Sequence, residues 1–290
     1  MFKNIFHGFA MAMADSVPGV SGGTVAFILG FYFEFIESLH NLFDGGKNRK
    51  PALKYLLKLG VGWVIGFIIS VAIISKIIDT NIYLLSSVFL GLTIASIPFI
   101  VKDEISIIKS NGKYFYYAFI GLLLVVGLVL LREVRPIINS FNLIEINIPE
   151  AIYIFLAGAF AISATLLPGI SGSSILLITG LYLPIIKAAG EVLSFNFQNL
   201  DALLILMLGI IFGIIISVRV LRNAIKKYRE KMIYLIIGLV IGSIYAIIMG
   251  PTALNEGALP LSLSNFSFFG FIVGIGILFG LERLKIEKGI

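Results

Sequence analysis

Pro18-Gly19-Val20-Ser21-Gly22-Gly23-Thr24 returns 150 positions later as Pro168-Gly169-Ile170-Ser171-Gly172-Ser173-Ser174. Each copy is followed at the same spacing by a Gly-x-Tyr, at Gly30 and Tyr32 and again at Gly180 and Tyr182. Both copies lie inside long apolar runs. Proline removes a backbone donor and glycine loosens the chain, so each copy breaks a helix. In hydrocarbon the freed N–H and C=O groups need partners, and such a break survives only against protein, water or a ligand. Matched breaks in two halves of a chain are how secondary transporters build a site near the membrane midplane.

The surroundings agree with a membrane setting. The chain is 59% hydrophobic and 13% charged, with a mean hydropathy of +1.04, far from the average of soluble domains. Long unbroken apolar runs predict an all-α polytopic membrane protein rather than a β-barrel of short alternating strands. The first run carries Asp15 and the motif, with no small-x-small cleavage site, so it does not read as a signal peptide. Cysteine is absent and there are two histidines, His7 and His40, so no metal site or other cofactor is expected. The net charge of +6 is distributed as a topology signal and not as a nucleic-acid surface.

Apolar stretches divide the chain into two halves with one order. Residues 1–135 hold a broken segment at 5–38 and spans at 53–75, 82–101 and 114–131. Residues 150–290 hold a broken segment at 151–187 and spans at 200–218, 232–249 and 266–281. Local matches support a duplication: Gly66-Phe67-Ile68-Ile69-Ser70-Val71 resembles Gly213-Ile214-Ile215-Ile216-Ser217-Val218, and 91–97 resembles 238–244. If each unbroken segment crosses once, 18 of the 22 Lys and Arg fall on one side. Lys76, Arg132, Arg135 and Lys187 fall on the other. Positive residues stay inside, which puts both termini in the cytoplasm, in a cell membrane.

Each broken segment then begins and ends on one side, 5–38 in the cytoplasm and 151–187 outside. The leg from Ile5 to Val17 covers about 20 Å at ~1.5 Å per residue, short of a ~30 Å core. Both segments therefore read as re-entrant hairpins in an inverted-topology repeat, each followed by three transmembrane helices. Two fully crossing hairpins are the alternative, since the legs of the second copy are longer.

The motifs carry the candidate chemistry. Pro18 and Gly19, and Pro168 and Gly169, break the helix. Ser21, Gly22, Gly23 and Thr24, with Ser171, Gly172, Ser173 and Ser174, open the returning half-helix. Helix N-termini present unpaired N–H groups and about half a positive charge, which suits a phosphate or carboxylate. The plain alternative is that small residues let the tips pack. Asp15 lies at tip depth, where an acid costs at least ~2.5–3.5 kcal/mol to insert. It reads as a coupling group for protons or another ion, or as an acceptor for the amides of the broken turn; Thr165 is its counterpart. Glu34 is a second coupling candidate, whereas Glu37 reads as a solvated acid near the cytoplasmic interface and Trp63, within a span, gives no specific signal. The basic stretch 219–231 reads as a topology determinant that could also hold acidic headgroups.

Over essentially its whole length, at 14–24 with Gly30 and Tyr32 and at 167–173 with Gly180 and Tyr182, the chain resembles the prokaryotic polyprenyl-phosphate transporters of the PopT type. Asp15 and both tip motifs match directly. Phe33 intervenes before Glu34, where members carry an acid next to the Gly-x-Tyr. The resemblance implies a flippase that returns undecaprenyl phosphate between leaflets for reuse by the cell envelope, with the lipid as partner. Proton coupling suits the chemistry, because a phosphate monoester takes up a proton near pH ~6. A homodimer fits the same reading. Rival readings are a small-anion channel or exchanger using the same helix termini, and an intramembrane hydrolase with Ser21 as nucleophile, for which His7 is the base available on a membrane segment. No enzymatic activity is expected.

Overall fold

In the computed structural model the described residues are 2–15, 21–43, 48–104, 108, 112–134, 143, 146–254 and 257–287. Their regular structure is helical throughout. Pro18 and Gly19 fall outside them. Helix α1 is Phe2–Asp15, α2 Gly22–Ile28 and α3 Tyr32–Phe43. Helix α4 runs over Arg49–Asp103, bent where Asn81 leaves helical geometry at φ −151° and ψ 50°. A 3₁₀ turn at Gly112–Tyr114 leads into α5, Phe115–Val134. In the second half, α6 is Ile148–Thr165, α7 Gly172–Ile178, α8 Tyr182–Leu193 and α9 Leu200–Lys227. Helix α10 is Arg229–Ile248, α11 Gly250–Leu254 and α12 Phe268–Glu287.

Among the described residues six segments are long and apolar enough to cross a membrane: 49–70, 81–102, 112–132, 148–165, 200–227 and 229–248. The chain is therefore a multi-pass membrane protein. Five of these match spans expected from the sequence. The expected spans 53–75 and 82–101 correspond to the two candidate spans 49–70 and 81–102, with the backbone leaving helical geometry at Asn81 where the second begins. The other expected span, 266–281, lies on α12, whose apolar part is Phe268–Gly280. Helix α6, with 18 residues, is long enough to cross, whereas α1, with 14, reaches about 21 Å at ~1.5 Å per residue. Large apolar side chains on the outer faces are exposed, among them Ile68, Phe115, Phe160 and Leu208. This is the surface a bilayer would cover.

The motif segments carry a feature that the apolar pattern did not separate. The returning leg breaks a second time at the Gly-x-Tyr, and α7 and α8 meet at 110°. The cause is local. Gly180 adopts φ 72°, its N–H bonds to Leu177 O, and Leu181 N–H reaches back to Leu176 O. That is a Schellman cap, which wants glycine in the left-handed region. Gly30, at φ 75°, repeats it with Phe27 O, and Phe31 N–H bonds to Ala26 O. Bounds agree as well: α2 and α7, and α3 and α8, begin and end 150 residues apart.

Packing between helices follows glycines. A Cβ on Gly62 would run into Ile5 O of α1, and one on Gly209 into Phe155 O of α6. Gly8 faces the Leu59 backbone as Gly158 faces that of Leu206. Ser70 Oγ meets Met13 Sδ at 2.8 Å, and Ser217 Oγ meets Ser163 Oγ at 2.6 Å. So α1 lies on the first part of α4 as α6 lies on α9. The remaining spans cross over between halves. Gly91 of α4 abuts Phe271 of α12, and Gly238 of α10 abuts Ala118 of α5. Gly274 likewise meets Val88, and Gly121 meets Leu235. Backbones this close are how membrane helices gain packing without a hydrophobic drive between them. The main core, with Phe27, Tyr32, Ile36, Val218, Leu221, Ile236 and Val240, joins α2 and α3 to α9 and α10.

Candidate functional site

The two motifs touch. Thr24 Oγ1, buried in α2, accepts a hydrogen bond from the Gly169 N–H at 2.7 Å. Gly169 holds φ 90°, and a Cβ there would strike the carbonyl of Leu239. Tyr32 Oη donates to Leu166 O at 2.9 Å, and Ser21 Oγ faces Thr165 O at 3.5 Å. The start of α2 is thus seated on the end of α6 and the turn that follows it.

The N-terminus of α2 is filled from within. Ser21 is its N-cap, accepting from Gly23 N at 3.1 Å. Asp15, the last residue of α1, places Oδ1 2.6 Å from Gly22 N and Oδ2 3.1 Å from Trp63 Nε1. A carboxylate at a helix start is favoured by the amide dipoles as well as by the bond itself. A Cβ on Gly22 would sit 2.6 Å from Asp15 Oδ2, so a larger residue there would push the carboxylate off its seat. Trp63, the sole tryptophan, is the partner that the sequence pattern did not single out. Counted along the repeat, its counterpart is Ile210, as the counterpart of Asp15 is Thr165. The acid and its indole donor occur together in one half and are both missing from the other, and that joint difference was the available signal.

The second tip is arranged differently. Ser171 is the N-cap of α7 but makes no side-chain cap bond. Its hydroxyl instead lies 2.6 Å from that of Ser173. Thr165 Oγ1 crowds Gly172 while donating to Ala161 O at 2.9 Å. All eight residues of Ser21–Ile28 are buried, whereas Gly172–Thr179 are all half-buried. Ser174 is among the latter, with its N–H on Ser171 O at 3.1 Å.

Other candidates are spread out. Glu34 lies in the first turn of α3, exposed; among the described residues no hydrogen bond links it to Asp15 or to either motif. His7 is stacked flat on Phe31 with centroids 3.9 Å apart, and among the described residues it is not bonded to Ser21. No group of three or more acidic, His or Cys residues suited to a metal occurs among the described residues. Glu37 is better placed than the sequence implied. It forms a two-point bond to Arg222 of α9 at 2.9 and 3.0 Å and meets Lys226 at 3.2 Å. Glu37 lies outside the candidate spans, and the Arg222 hydrogen bond, helped by Lys226, holds its carboxyl down to about 2.

The undecaprenyl phosphate translocase-like family (VCA0040-like) matches residues 11–259. The chain belongs to this family. A curated polyprenyl-phosphate transporter of Staphylococcus aureus (strain NCTC 8325 / PS 47) is 31% identical over 294 residues, 98% of this chain and 97% of that protein. A second, from Vibrio cholerae serotype O1 (strain ATCC 39315 / El Tor Inaba N16961), is 30% identical over 254 residues, 82% of this chain and 74% of that protein. No solved structure matches the chain. Family membership gives the paired motifs their context, since both lie inside the matched residues.

Proposed function

We propose that this undecaprenyl phosphate translocase-like protein is a flippase for polyprenyl phosphate, with undecaprenyl phosphate as substrate and protons as the coupling ion. The two relatives named as polyprenyl-phosphate transporters support the substrate class. A lipid phosphate suits a site of this kind, because the tail stays in hydrocarbon while only the headgroup crosses. The two halves act as an inverted pair, their hairpins entering from opposite faces and meeting at the tips, with both termini in the cytoplasm. The 18-residue α6 approaches about 27 Å at ~1.5 Å per residue, so the second hairpin reaches deeper than the first.

The observation that carries the mechanism is the seat of Asp15 on the Gly22 amide, beside the Thr24 to Gly169 bond joining the motifs. Asp15 occupies the place an incoming phosphate would take at the start of α2. Desolvating a doubly charged phosphate costs far more than helix termini return at up to ~2 kcal/mol each. A proton delivered to Asp15 relieves both difficulties. It removes one negative charge from the site and loosens the carboxylate from Gly22, whose N–H then turns to the phosphate. Ser171, Gly172, Ser173 and Ser174 receive the headgroup from the α7 side, where no carboxylate stands. Rocking of the hairpin-bearing parts then exposes the site to one leaflet and the other.

Reconstitution tests this directly. In proteoliposomes the chain moves undecaprenyl phosphate between leaflets, faster with an inward proton gradient, and the lipid raises its unfolding temperature where inorganic phosphate does not. Chloride or phosphate flux without polyprenyl lipid would replace the flippase by a small-anion channel. Lipid movement indifferent to the proton gradient would remove the coupling.

A further inference from the structure

A cavity of about 520 Å³ opens between α3, α9 and the start of α10, lined by Phe33, Ile36, Glu37, Arg222, Ile225, Lys226 and Arg229. A second, of about 270 Å³, shares Phe33 and Arg229 with it and reaches Gly30 and Tyr32 at the bend after α2. Pockets of several hundred Å³ are the usual size for small-molecule sites. Neither cavity is lined by Asp15 or by residues of the α7 tip, and the larger is lined by none of the motif residues.

The larger cavity has two chemical characters. Phe33, Ile36 and Ile225 form apolar wall, while Arg222, Lys226 and Arg229 supply three cations against the one carboxylate of Glu37. With Glu104 beside Arg229 at 3.6 Å, three cations face two carboxylates; the surplus is one positive charge, and two once Glu37 turns aside for a phosphate monoester, which carries about −1.5 to −2 at pH 7. Arginine is suited to such a group through paired N–H bonds. Its present partners are carboxylates: Glu37 holds Arg222 and Lys226, and Glu104 meets Arg229 at 3.6 Å. Arg229 also stands over the Phe33 ring at 5.8 Å. Glu37 is partly exposed, at 36% of its side chain, and has room to turn aside for a competing anion, whereas Glu104 is at 13%.

We infer that this cavity is a second phosphate site, holding the headgroup of an isoprenoid phosphate by Arg222, Lys226 and Arg229 with the first isoprene units against Phe33, Ile36 and Ile225. It rests on the polyprenyl-phosphate reading and adds to it a station at the basic end of the molecule, apart from the tips. The smaller cavity leads from this station toward the Gly-x-Tyr bend. Glu37 competes with the headgroup for Arg222 and Lys226, so substrate leaves as the carboxylate returns.

Binding of a short-chain polyprenyl phosphate to the detergent-solubilised full chain, measured by native mass spectrometry, separates this from a purely structural ion pair. Arg222→Gln and Arg229→Gln each weaken binding about tenfold. Glu37→Gln breaks the same pair as Arg222→Gln, yet binds as tightly as wild type or about threefold tighter. The matching polyprenyl alcohol binds at least tenfold more weakly than the phosphate, and inorganic phosphate competes poorly. Equal losses in Glu37→Gln and Arg222→Gln, or binding within twofold of wild type in both arginine variants, would overturn the site. Effective competition by inorganic phosphate would overturn the lipid as its ligand. If Arg222→Gln does not fold, the contrast of Arg229→Gln with Glu37→Gln decides the matter in its place. Wild-type protein that binds no polyprenyl phosphate would instead defeat the transport reading itself, a separate result.

Discussion

Helices α2 and α7 have the same length and end in the same glycine bend, yet one is sealed and the other open. Helix α2 is buried, N-capped by Ser21 and closed by the Asp15 carboxylate, whose second oxygen is held by Trp63. Helix α7 has an uncapped start, half-buried along its length, with its serines paired to each other. The backbone has been copied, and the side chains that decide what the amides bind have not. Equal scaffolds with unequal occupants mean that the two tips cannot do the same task at the same moment.

Exchanging side chains between equivalent positions tests that asymmetry. The largest contrast belongs to Asp15→Asn against Thr165→Ala. Asn keeps one acceptor oxygen but loses the charge and sets an amide donor against the Trp63 N–H, so the two charge-assisted bonds, worth ~1.5–3 kcal/mol each, are not both retained. Lipid translocation in Asp15→Asn falls at least about tenfold and loses its response to the proton gradient, while Thr165→Ala stays within about twofold. An unchanged gradient response in Asp15→Asn would end the coupling role.

Next comes the joint between the motifs. Thr24→Val leaves the buried Gly169 N–H without its acceptor, costing ~1–3 kcal/mol. Its counterpart Ser174→Ala stays within about 0.5 kcal/mol, as is usual away from buried bonds. Unfolding temperatures that fall equally in both variants would mean the tips are equivalent after all. Smallest is the cap comparison. Ser21→Ala removes a cap bond and destabilises by ~1 kcal/mol, whereas Ser171→Ala costs a few tenths in chemical unfolding but slows lipid movement.

The backbone of this molecule was legible because breakers act locally. The glycines of both Gly-x-Tyr bends take positive φ, and the 150-residue spacing carried over into helix bounds that agree in both copies. Five of the six ordinary spans followed from length and apolarity, the apolar part of the sixth being shorter, at Phe268–Gly280, and the first two spans are divided by the break at Asn81. What stayed hidden depends on neighbours remote in sequence. Trp63 is one aromatic among many on an apolar helix until Asp15 is brought to its indole N–H. Glu37 looked like an interfacial acid until α9 set Arg222 beside it. The crossing of α5 and α12 into the opposite half had no sign in the pattern of either helix alone, since Gly121 and Gly274 record the need for a close neighbour but not its identity.

That crossing has a mechanical outcome. With α5 laid along α10, and α12 along the latter part of α4, neither half can swing away without tearing two seams where backbone meets backbone. The four crossed spans are a laced frame, so whatever shifts during turnover must slide against it: α1 with the opening stretch of α4 as one slab, α6 with α9 as the other.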